Sequence, residues 1–131
     1  MLINRIIIKK RAPLTFLLIF STLILFSQNL EKPILNYTYA CASNSFNIFE
    51  VEIAYNTTVF NNDNTFSVEL SDQNGNFSSP TVVKIISDQN SSFKFKTNFQ
   101  LPTSVYGTGY KLRVVSSSPE KISPKSDSFE A

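Results

Sequence analysis

Beyond about residue 30, apolar side chains recur at every second position. "TFSVELS" sets Phe66, Val68 and Leu70 on one side and Ser67 and Glu69 on the other. "SSFKFKTNF" opposes Phe93, Phe95 and Phe99 to Lys94, Lys96 and Asn98, and "GYKLRVV" opposes Tyr110, Leu112 and Val114 to Lys111, Arg113 and Val115. Side chains alternate across a strand, so one apolar and one wet side mark an antiparallel sheet covered on a single face. "FNIFEVEIAY" changes phase: Phe46 and Ile48 alternate in one, Phe49, Val51, Ile53 and Tyr55 in the other. Either a bulge at 47–49 joins the two phases, or the strand begins at Phe49.

This pattern predicts strands near 34–40, 48–55, 65–71, 81–87, 92–99 and 108–116, with a last one starting at 127. No long apolar stripe at helical spacing follows residue 30. Short strands at this spacing, parted by Asn, Asp, Ser and Gly, predict an all-β fold: an immunoglobulin-like or fibronectin-like antiparallel β-sandwich. Its expected core is Phe66, Val68, Leu70, Ile85, Phe93, Phe95, Tyr110, Leu112 and Val114. Asn74-Gly75 is a turn pair that tolerates positive φ, and Pro80 removes a ladder donor just before "TVVKIIS". Gly107 and Gly109 let the chain turn sharply into Tyr110, and that strand ends before Pro119. The G-T-G loop lacks the further glycines, lysine and following helix of a phosphate cradle, so its expected role is structural.

The first residues change the picture of charge and place. Arg5, Lys9, Lys10 and Arg11 precede an apolar run, Leu14–Phe26, broken only by Thr15, Ser21 and Thr22. The run is short for a membrane span of about 20 residues and suits a signal-peptide core. Residues 1–27 are therefore expected to form a signal-peptide helix cut after Ser27, with 28–33 a linker and 34–131 the sandwich. A retained anchor, whose only membrane contact is this leader, is the alternative. The full chain carries 12 basic and 10 acidic residues, net +2. Without the leader, eight basic residues face ten acidic ones, net −2. Such a domain has no global field to gather a polyanion, which argues against nucleic-acid binding.

Candidate chemistry is sparse. Histidine is absent, so Cys41, the single cysteine, has no imidazole to act as its base. It reads as a buried thiol or as half of a bridge to residues elsewhere. Glu50 and Glu52 share one side of a strand, most simply the wet one; a glycosidase-like dyad would need another carboxylate brought beside them. "NNDNTF", residues 61–66, is rich in oxygen ligands but holds only one carboxylate, Asp63, and reads as a polar turn rather than a calcium loop. Sequons at Asn36, Asn56, Asn76 and Asn90 matter only where that glycosylation pathway runs. No catalytic, cofactor-binding or metal residue is expected. The candidate interaction residues are of two kinds. Lys94, Lys96, Lys111 and Arg113 would form a basic stripe if the 92–99 and 108–116 strands pair. Phe60, Phe77 and Tyr106, outside the clean alternation, would make an aromatic patch for a carbohydrate or protein if exposed together.

"NTFSVELSDQNGNFSSP" and "LPTSVYGTGYKLRVVSSSP" together resemble a recurrent module of exported Bacteroidetes surface proteins. Asn64, Phe66, Leu70, Ser71, Asp72, Gly75 and Phe77 match its first half. Pro102, Gly107, Gly109, Tyr110, Leu112, Arg113, Val114, Ser118 and Pro119 match its second. Cys41 ahead of a Phe-containing strand resembles the module's entry. The chain departs from the pattern in "VVKIISDQNSS", which lacks the usual glycine. It also ends at "SDSFEA", where a strand has barely begun, as the first module of a longer protein would. The resemblance implies a β-sandwich without catalytic residues, exported to the cell surface, outer membrane or exterior. The implied partners are other modules of the same polypeptide or surface proteins of gliding motility and type IX secretion. A carbohydrate-binding module is the alternative.

Overall fold

The computed structural model describes residues 29–56 and 59–131. The expected signal-peptide helix lies outside them. The described chain is all-β, with two antiparallel sheets packed face to face. One holds β1 (Asn29–Leu30), β2 (Phe49–Asn56) and β5 (Lys94–Phe99), in the order β1-β2-β5. The other holds β3 (Phe66–Leu70), β4 (Thr81–Ile86), β6 (Leu112–Ser117) and β7 (Glu120–Ile122), in the order β4-β3-β6-β7. In a constant-type immunoglobulin sandwich the fourth strand sits beside the fifth. Here β4 pairs with β3 instead, giving three strands against four, the fibronectin-like form of the expectation.

Alternation places the core. Val51, Ile53, Val68, Leu70, Leu112 and Val114 are all buried and fill the middle of the sandwich with aliphatic side chains. Aromatic rings close each end. At one, Phe60 and Phe66 meet edge to face at 5.0 Å, with Tyr55 against both. At the other, Tyr37 lies 5.7 Å from Phe49 and 5.9 Å from Phe129. Pairs of this kind add about 0.5–1.5 kcal/mol beyond area burial.

Two expected core residues are displaced. Ile85 is 63% exposed because its register partner is the outward-facing Ser67; Ile86, opposite Phe66, turns inward in its place. Phe93 is 43% exposed and has φ of 56°, so it stands in the approach to β5, with its ring 5.5 Å from Tyr55. Phe95 is partly buried against Phe66.

The strand expected at 34–40 is two fragments. Ile34 bridges Glu52 of the first sheet, and Tyr39 bridges Glu130 in parallel beside the second. The chain therefore changes sheets between them. Asn29–Leu30, in the stretch read as a linker, forms β1 and buries Leu30. β2 begins at Phe49, and Phe46 and Ile48 are exposed ahead of it. Past β7 the chain keeps following β6, and where a last strand was expected from 127, Phe129 is buried and bridges Tyr110 while Glu130 bridges Tyr39.

Candidate interaction surface

The residues of the surface-module pattern serve the frame. Asn64, 1% exposed, accepts N–H bonds from Ser117 and Ser118 at 2.9 Å and donates to the Asn90 carboxamide. It ties the β2–β3, β4–β5 and β6–β7 connections together, so "NNDNTF" is a structural polar turn. Ser71 accepts the Lys111 N–H. Asp72 closes its own loop by accepting N–H bonds from Asn76 and Asn74. The Asn76 N–H bond is the largest influence and, with the Asn74 N–H, the Asn76 side chain and the Lys125 charge, holds its carboxyl below the ordinary value against the opposing effect of desolvation. Gly75 and Gly109 take positive φ, and a β-carbon on Gly109 would stand 2.5 Å from the Gln73 carbonyl oxygen. The G-T-G loop is thus backbone-limited, and its role is structural.

The structure separates the expected aromatic patch. Phe60 is 2% exposed and belongs to the core, since the chain between β2 and β3 folds its ring onto Tyr55 and Phe66. Phe77 is half-buried beneath the Arg113 guanidinium at 4.5 Å, with the Lys125 ammonium 5.4 Å from its ring. Tyr106 alone of the three stands in solvent, 84% exposed.

The expected basic stripe is divided as well, because β5 and β6 lie in different sheets. On the first sheet, Lys94 pairs with Glu52 at 2.8 Å and Lys96 with Glu50 at 2.7 Å. The Glu50 hydrogen bond and charge raise the Lys96 ammonium above its ordinary value. Glu50 and Glu52 thus sit on the wet side, each held by a lysine. On the second sheet, Arg113 binds Glu69 at 2.7 Å with both side chains largely shielded, and the Lys111 stem lies over Gly75. Of the two readings of Cys41, a buried thiol or half of a bridge, the buried thiol is corrected: Cys41 is exposed, follows the buried Ala40 and lies in the loop that leads to β2.

Exposed apolar surface gathers elsewhere, on the outer face of the four-stranded sheet. The ladders set Ile85, Ser67, Val115 and Ile122 side by side across all four strands. Ile122 is 55% exposed, Ile85 more so, and Val115 half-buried. The next row holds Val82, Glu69 and Arg113, with Val82 half-exposed. At a strand spacing of about 4.8 Å, the row spans roughly 15 Å, apolar at every strand but β3, where Ser67 stands.

Sequence reasoning missed Val82, Ile85 and Ile122 because "TVVKII" is apolar in both phases and β7 has only three residues. A bulge adds further ambiguity. Val68 pairs with Lys84 and Glu69 with Val82, which leaves Val83 as the extra residue. The readable sign was the apolar Val115 among the wet positions of β6.

Comparison with known protein families, characterised proteins and solved structures finds no match for this chain.

Proposed function

We propose that this chain is a non-catalytic structural and protein-interaction module of an exported cell-surface protein. The observation that carries the reading is the apolar row Ile85–Ser67–Val115–Ile122 on the outer face of a sheet whose inner face already fills the core. Apolar side chains from three of the four strands, with the small Ser67 between them, offer a flat contact to a protein surface. The leader pattern and the resemblance to Bacteroidetes surface modules support the cell surface as its location. They also support assemblies of the gliding-motility or type IX secretion kind as its setting. The carbohydrate reading has less support, because Phe60 is inside the core and Phe77 is covered by Arg113.

The test is a photo-crosslinking amino acid placed at Val115, at Ile122 and at Ala54 on the opposite sheet, in cells of the organism that makes the protein. Discrete protein adducts from positions 115 and 122, with none from 54, are the expected result. Adducts from all three positions alike, or from none, overturn the reading. Recovery of the unprocessed chain in the cytoplasm overturns its cell-surface part.

A further inference from the structure

β4 and β5 are the outermost strands of their sheets on the same side of the sandwich, and neither has a further strand partner among the described residues. Between them lies an open cleft of about 360 Å³. Ile48, Val83 and Phe99 supply its apolar lining, and Asn98 and Gln100 supply amides. Lys84 is the one charged residue among those lining it, and it makes no ion pair with any described residue. The main chain of β4 is thus an unused ladder edge, and the cleft beside it mixes apolar and amide lining around the Lys84 ammonium; Lys84 also lines a second cleft along the same strands, with Asp88 and Lys96.

Lys84 has an unusual position. Its register partner is Val68, an inward-facing core residue, yet Lys84 itself is exposed. It starts in the inward phase at the rim and reaches out into the cleft, directly after the bulge at Val83. A bulge and an inward-phase lysine are two of the devices that keep an edge strand from pairing with any apolar strand that meets it. They do not exclude all pairing. A strand that brings a carboxylate to the ammonium replaces repulsion with a charge-assisted hydrogen bond.

We infer that the β4 edge and the cleft beside it bind an extended, apolar segment of another protein that carries an Asp or Glu to meet Lys84. Backbone pairing along Thr81–Ile86 supplies affinity, the apolar lining takes alternate side chains, and Lys84 sets specificity. Charge decides among the occupants. A second copy brings its own Lys84 to the same short edge, and the chain's first residues bring Arg5, Lys9, Lys10 and Arg11; both set positive charge against the Lys84 ammonium. This inference rests on the reading of the chain as an interaction module and names a second contact beside the flat face.

The test is selection of a displayed library of random ten-residue segments on the immobilised full chain, followed by amide NMR mapping of a selected peptide. The selected segments are expected to alternate apolar and polar residues, with Asp or Glu at one fixed place. The shifted amides are expected at 81–86 and 98–100. Lys84→Gln should weaken binding about tenfold, the loss of one charge-assisted bond. Lys84→Glu should redirect selection toward Lys- or Arg-bearing segments. Selection of nothing, selection indifferent to acids, shifts elsewhere, or unchanged affinity in Lys84→Glu each overturn the inference. Self-association through residues 81–86, seen by sedimentation, overturns it in favour of a second copy. The crosslinks at Val115 and Ile122 are read independently, so the module reading can stand when this inference fails.

Discussion

Asn64 shows how one buried amide organises an end of the sandwich. Its oxygen takes two backbone N–H groups from the β6–β7 turn while its nitrogen reaches Asn90. Replacement by alanine strands the Ser118 N–H, while the Ser117 N–H keeps the Thr65 carbonyl, and the loss costs about 1–3 kcal/mol. Urea denaturation of Asn64→Ala should show a lower midpoint at unchanged slope; an unaltered midpoint would mean that water replaces the amide. Asp72 gives a pH-dependent counterpart. The Asn76 and Asn74 N–H groups favour its charged form, so its folded pKa lies below the unfolded one. That stabilisation is complete above the ordinary carboxylate value of about 4, and it fades as pH falls through the lower folded value. Asp72→Asn should therefore lose stability at neutral pH and show a flatter acid limb than the parent in thermal melts below pH 5. Parallel acid limbs would contradict the assignment. Both residues belong to the stretch singled out in the sequence, where "NNDN" and "SDQNGN" read only as polar turns. Their acceptor roles depend on chain from 26 to 54 residues away or on the closed shape of the loop, neither of which a local pattern displays.

At the scale of elements, the sealing of β6 was the least legible feature. Beyond β7, Pro124 cannot supply a ladder donor, and the chain follows β6 with serines in place of regular pairing. Ser126 donates its N–H to the Leu112 carbonyl, and its hydroxyl accepts the Leu112 N–H at 2.8 Å. Ser123 does the same for Val114. Ser126→Ala should strand the Leu112 N–H in the interior and destabilise the fold by about 1–3 kcal/mol. It should also speed exchange of the Leu112 amide; full protection of that amide in the variant would show that the hydroxyl is dispensable. β2, β3, β5 and β6 were readable because one face of each is dry and the other wet, which writes a period of two into the residues. β1 and β7 hold two and three residues and carry too few positions for a period. β4 is apolar on both sides and bulged, so its phase is set by what β3 offers it.

At the scale of the molecule, the two sheets decide which of the exposed groups become neighbours. They set Lys94 and Lys96 over Glu52 and Glu50, keep Arg113 on the other side with Glu69, and leave Cys41 at the surface. Native protein should thus react with a thiol reagent such as DTNB at one equivalent per chain, at a rate close to that in denaturant. A thiol that titrates only after unfolding would place Cys41 inside. The all-β class, the two-layer packing, the glycine turns and the core positions of β3 and β6 follow from the order of residues alone, because burial of alternate side chains is a property each segment states locally. It took the folded chain to place β4 beside β3, to put Phe60 in the core, to part the basic residues of β5 and β6, and to align Ile85, Val115 and Ile122. These outcomes depend on register and strand order. They arise from contacts between residues far apart in the chain, where a shift of one position exchanges the buried face for the wet one.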